Sequence, residues 1–267
     1  LNISGTDVRS LNPLRGKALR SLDVSGIKSL FDLSPLSGMP LRHLNAADSR
    51  VNSILVLKGM PLESLNLAGI PAHEFSVLKG LPLAALDLSD TQFKDYGLLK
   101  GLPLRHLALR NMKILDLGVL GGLNLERLDL RNATFKDLDA LKGMDLKWLC
   151  IAETKIRTLG TLRTMPLEHL DAQNAPLSDL SPLKGMKLKV LNLVGTEARD
   201  ISVLNEMPLV WVGLDGEKIH DLTPLRGAPI VEMILTGDRD KLQRHRWLLQ
   251  TLPALQKVNG EDKGKWW

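Results

Sequence analysis

Cys150, His169 and Asp171 are the parts of a thiol nucleophile: a sulfur, a base, and an acid to orient the base. Cys150 is the sole cysteine, which rules out a disulfide framework and an all-cysteine zinc site. His43, His106 and His169 are evenly spaced at 63 residues, which matters for a metal only if the fold brings the rings together. Trp148 and Trp211 stand among Arg127, Arg131, Asp129 and Asp171, the mixture found where one protein grips another. Which of these chemistries is open depends on the elements that hold the residues.

Those elements come from a repeat. The residue opening each LxxLxL run falls at Leu41, Leu62, Leu83, Leu104, Leu125, Leu146, Leu167, Leu188, Leu209 and Ile230, always 21 residues apart. Leu19 precedes Leu41 by 22, one residue being inserted near Ser29. Such a fixed period is the signature of a solenoid. Leu1 matches Leu22, so the chain opens inside a unit and without Met; an excised domain or mature fragment is expected. With 267 residues, 44% hydrophobic and 24% charged, the chain can bury a sizeable core, and at 4% aromatic content that core must be aliphatic. No run of 18 apolar residues exists, so no membrane insertion is expected. The lone cysteine fits a reducing, cytoplasmic setting without requiring one.

Within the unit LKVLNLVGTEARDISVLNEMP, Leu191 and Leu193 alternate with Asn192 and Val194, which predicts a short strand with leucines facing inward. Gly195 and Thr196 turn the chain. The following segment is too short for a full helix, so a tight return is expected. In SPLKG, Ser181 is expected as N-cap, Pro182 as the first helical residue and Gly185 as the positive-φ stop. Lys58, Lys79, Lys100, Lys142, Arg163, Lys184 and Arg226 form a column of cations, with acids such as Asp95, Asp137, Asp179 and Asp221 five residues earlier. Both columns are expected on a solvated convex rim.

The pattern LxxLxLxxT followed by DLSPLKGMP resembles bacterial leucine-rich repeats. It is most similar to the planctomycete-type arrays that often accompany serine/threonine kinase domains. The resemblance covers nearly the whole chain. It implies an α/β fold: a right-handed horseshoe solenoid, a parallel sheet on the concave side, short 3-10 turns on the convex side and a C-terminal helical cap. Residues 1–237 are expected as repeats and 238–267 as the cap, the latter with a stripe of Leu242, Leu249, Leu252 and Leu255, an NG turn, and Trp266 and Trp267. The sequence departs from the family at the ninth repeat position, usually Asn. Here it holds Ser49, Thr91, Thr154 and Thr196, but also Ile70, Met112, Ala133 and Ala175, so a turn closing on its own backbone is expected.

The outward strand positions are the second, third, fifth and seventh of each unit. The third column runs Ser21, His43, Ser64, Ala85, then His106, Arg127, Trp148, His169, Val190, Trp211. The fifth adds Asp129 and Asp171 and the seventh Arg110 and Arg131. These ten residues, from His106 onward, are the expected partner site. Cations and acids nearly cancel on these columns, so the net charge of +5 must sit on the rim and around Lys241, Arg244 and Arg246. A mixed surface suits a protein partner better than nucleic acid. The competing expectations are a passive spacer or designed scaffold without a ligand, and a carbohydrate site. A flat sheet offers no pocket for Cys150 and His169 to work in, so no enzyme is expected. No glycine-rich phosphate loop or kinase motif is present, and no metal or cofactor is expected. The sequons at Asn2 and Asn132 are short enough to arise by chance. The oligomeric state is not legible.

Overall fold

The structure is a computed structural model that describes residues 1–266; Trp267, expected to belong to the C-terminal cap, lies outside the described residues. The chain divides into two compact units. One comprises residues 1–113 and 118–128, the other residues 114–117 and those from Asp129 onward.

In the first unit, strands β1 (Ser21–Asp23), β2 (His43–Asn45), β3 (Ser64–Asn66), β4 (Ala85–Asp87) and β5 (His106–Ala108) pair in parallel and in chain order. Each residue lies opposite its equivalent one repeat on: His43 faces Ser64, and Ala85 faces His106. Of β6 (Arg127–Asp129), Arg127 and Leu128 belong to this unit and Asp129 to the next. In the second unit, β7 (Trp148–Cys150), β8 (His169–Asp171), β9 (Val190–Asn192), β10 (Trp211–Asp215) and β11 (Glu232–Thr236) pair in the same way. The leucines that alternate along each strand are fully buried; Leu188, Leu191 and Leu193 all have 0% exposure. Burying such a side chain contributes about 2 kcal/mol, so the sequence period fixes the register: a one-residue slip would turn every leucine outward.

The return between strands is one 3-10 turn, such as Ser34–Leu36 or Ser181–Leu183. Gly185 closes the latter with φ +80°, as expected. The capping residue differs from expectation. Ser181 is not the N-cap; the Asp179 carboxylate accepts its backbone N–H at 2.8 Å and its hydroxyl at 3.1 Å. Pro182 therefore sits second in the turn rather than first. Asp32 and Asp221 do the same for Ser34 and Thr223, and Asp200 accepts the Ser202 N–H. The acid column of the rim is thus the set of turn caps, an arrangement short side-chain carboxylates favour because they reach the N–H two residues on.

The ninth-position turns close as expected. Where the residue is Ala133 or Ala175, its N–H bonds to the carbonyl three residues back, at 2.9 and 3.1 Å. Where it is Thr91, Thr154 or Thr196, the buried hydroxyl donates to that carbonyl as well. One position earlier the backbone is left-handed: Asp90, Asn111, Asn132, Glu153, Asn174 and Gly195 all have φ between +52° and +73°.

The second unit ends in α1 (Arg239–Leu242) and α2 (Arg246–Thr251), joined by a 3-10 turn over Gln243–His245. Leu242, Leu249, Leu252 and Leu255 are buried as expected, but they do not share one helix. Pro253 forces Leu252 into the extended region (φ −68°, ψ 114°), which ends α2. The expected NG turn is present: Asn259 and Gly260, both at positive φ, link β12 (Lys257–Val258) to antiparallel β13 (Glu261–Asp262). Trp266 is buried.

Candidate functional site

The third repeat position is the first residue of each strand and projects on the side away from the buried leucines. In the first unit it places His106 and Arg127, both exposed. In the second it places Trp148, His169, Val190 and Trp211, all half-buried, on consecutive strands. Strand spacing of about 4.8 Å makes the latter four a row. The Trp148 and His169 rings stack, with centroids 5.1 Å apart and planes at 29°. The Trp211 indole folds down over Gly213: a Cβ on that glycine would lie 2.9 Å from the ring. The two tryptophans therefore lie partly on their own strands.

The charged columns beside this row are largely satisfied from within. At the second position, Lys189 pairs with Glu168 at 2.7 Å in the second unit; in the first, Arg105 pairs with Glu126 at 2.6 Å and Arg42 pairs with Glu63. These exposed pairs fix side-chain positions while contributing little stability. At the fifth position, Asp129 and Asp171 each accept a turn N–H, from Arg131 at 3.0 Å and Gln173 at 3.1 Å. Asp23, Asn45, Asn66, Asp87 and Asn192 do likewise. The fifth column is thus a ladder of side-chain turns: the ladder missing from the ninth position is built here instead. Arg131 extends it, reaching Glu153 at 3.2 Å and, two repeats on, Asp171 at 2.9 Å. Arg110 in the first unit bonds Asp87 at 2.9 Å and the buried Ser89 hydroxyl.

Cys150 occupies a ladder position with a short side chain. It lies directly opposite Asp171, its Sγ 3.7 Å from Oδ2, and is 1% exposed. Burial pushes its thiol up to about 12, and the charges of Asp129 and Asp171 push the same way. His169, the base expected for it, is instead opposite Trp148 and stacked on it. The residues of the thiol site lie on adjacent strands, but the sulfur is protonated and faces an acid, so that chemistry is not assembled.

No protein-family model matches the sequence, and no curated protein sequence matches it. Solved structures do. An internalin (InlF) from Listeria monocytogenes superposes with TM-score 0.74 at 22% identity, over 97% of this chain and 79% of that one. A leucine-rich-repeat protein of Leptospira interrogans gives TM-score 0.56 at 18% identity over 97% and 82%. The functional domain of InlJ from Listeria monocytogenes, which includes a cysteine ladder, gives 0.55 at 14% over 97% and 62%. The chain has a leucine-rich-repeat fold. In this chain's repeats the fifth column is mostly Asp and Asn, interrupted by Ala108, Cys150, Gly213 and Ile234.

Sequence reasoning placed Val194 on the outward face but missed Val210, Val231 and Ile234 around Trp211. The second column changes from ions to Val210, 40% exposed, and half-buried Val231; Val194 and Ile234 flank them on outward positions. The signal was present in the repeat alignment, as the loss of charge from the second column after Lys189. Of the cations expected to carry surplus charge, Lys241 pairs with Glu217, whereas Arg244 donates to three neutral carbonyls and keeps its charge.

Proposed function

We propose that this chain is a non-catalytic binding module that takes another protein on the outward strand face of its repeats, with residues 1–237 as the array and 238–267 as its end cover. The observation that supports this most is the second unit's row Trp148, His169, Val190, Trp211, bordered by Val210 and Val231, on a face whose ions pair with one another. Aromatic and aliphatic side chains amid neutralised charge favour a partner with apolar side chains of its own. The exposed His106 and Arg127 and the half-buried Arg110 of the first unit are proposed to take part as further contacts, with Asp129, Asp171 and Arg131 holding the surface in shape. Polyanionic nucleic acid is disfavoured because the face is not one-signed. By its similarity to planctomycete-type arrays, we also propose that the parent protein carries a serine/threonine kinase domain, which its full reading frame tests.

The module is tested by crosslinking from source-cell lysate with the wild type, the Trp148→Ala/Trp211→Ala double variant, and a Lys142→Ala/Lys184→Ala control. The proposal expects one protein captured by wild type and control and lost from the tryptophan variant, with melting temperature lowered by no more than about 2 °C. Loss of the folded state on tryptophan removal would make these residues structural. Equal capture by all three proteins would move the site off this face.

A further inference from the structure

The loop after β10, residues 216–219, is where the C-terminal segment docks. Arg244 Nη2 donates to the carbonyls of Gly216 at 2.7 Å, Glu217 at 2.9 Å and Ile219 at 3.4 Å. Glu217 accepts the Asp238 N–H at 2.7 Å and pairs with Lys241 at 3.0 Å. Leu242 lies so close that a Cβ on Gly216 would meet it at 2.4 Å. Within this junction sits His245, 3% exposed. Its Nε2 is 3.1 Å from the Gly216 carbonyl and 3.1 Å from the Arg244 Nε–H donor.

Those two contacts ask opposite things of one nitrogen. Neutral imidazole can accept from Arg244 or donate to Gly216, according to tautomer. The imidazolium can only donate, which leaves the Arg244 N–H facing another N–H and sets two cations together out of water. We propose that His245 is a pH-sensitive latch: protonation of its ring loosens α1 and α2 from the 216–219 loop and uncovers the end of the repeat array.

The groups facing His245 support that direction. Arg244 on its own segment and His220 on the loop side both oppose a further positive charge. Glu217 is paired with Lys241; Asp221, kept ionised by the Thr223 N–H and hydroxyl, each at 2.8 Å, attracts a charge on His245 and so works against the others. Burial, the largest effect, holds the ring below the ordinary imidazole value; the Gly216 and Ile219 carbonyls, which accept from the ring, work against it, and burial together with Arg244 and His220 outweighs them. Stability from this group is therefore complete above about pH 6.5 and is lost as pH falls below it.

Hydrogen exchange on the intact chain tests the latch, with rates corrected for intrinsic pH dependence. Protection of amides in α1 and α2 should fall by about threefold or more from pH 7 to pH 5, while β9 amides keep theirs. His245→Gln, which donates and accepts without titrating, should remove the effect. Flat protection in α1 and α2, an equal fall in β9, or an unchanged pH response in His245→Gln would each overturn the proposal. The ring's own titration, followed by NMR in the wild-type chain, decides the matter if the variant does not fold: a midpoint at or above the ordinary imidazole value refutes the latch.

Discussion

Asp171 shows how differently a residue behaves from what its type suggests. As a carboxylate two residues from a histidine it looked like the orienting member of a catalytic set. In the fold it accepts the Gln173 N–H, the Arg131 guanidinium and the weak Cys150 donor, with its side chain 13% exposed. Removing it leaves a turn N–H and an arginine without their acceptor. Asp171→Ala should therefore cost about 2 kcal/mol in urea unfolding. Asp171→Asn, which keeps the acceptor oxygen for Gln173, should recover part of that loss. An alanine variant as stable as wild type would show that the ladder does not contribute at this rung. The fifth-column Asp and Asn residues were visible in the sequence as outward positions. Their inward turn toward the next N–H but one was not, because a side-chain rotamer is chosen by local backbone geometry rather than by residue type.

At the level of elements, the strands and turns follow from short-range chemistry, and the C-terminal segment does not. Strand register follows from the 21-residue spacing of buried leucines, and Asp179, Ser181 and Gly185 define a turn by local hydrogen bonds and a positive φ. Closing the array takes a long-range contact. Asn259 does it by giving its side-chain amide to the strand edge: Oδ1 accepts the Leu235 N–H at 2.7 Å and Nδ2 donates to the Leu235 carbonyl at 3.0 Å. The NG dipeptide announced a hairpin turn, but not that its amide would satisfy β11. Asn259→Ala removes both bonds and places a less tolerant residue at φ +53°. The loss expected is about 2 kcal/mol, read as faster exchange of the Leu235 amide together with a lower unfolding midpoint. Asn259→Gly, which tolerates the backbone, separates the two contributions; equal loss in both variants would assign the cost to the hydrogen bonds.

For the whole molecule, capping by carboxylates predicts how the fold meets acid. Hydrogen bonds from Ser34 hold the Asp32 carboxyl below its ordinary value, and backbone N–H donation does the same for Glu74, Asp179 and Asp221. Their folded values are depressed, so their stabilisation is present above the unfolded carboxylate range and is lost as pH falls through it. The urea midpoint read from repeat amides should accordingly drop below about pH 4, distinct from the local loosening of α1 and α2 at higher pH. A repeat midpoint indifferent to acid down to pH 3 would remove the caps from the stability account. What the sequence by itself determined was the period, the inward leucines, the short strands and the solenoid fold, because each depends on spacing along the chain and on side chains that must leave water. Tertiary structure alone decided how the outward residues engage one another. Arg131 and Asp171 lie 40 positions apart yet bond to each other, Trp211 lies over Gly213, and Cys150 faces an acid rather than His169. Those outcomes depend on side chains meeting across rungs, and the period brings the rungs together without specifying how far each side chain reaches.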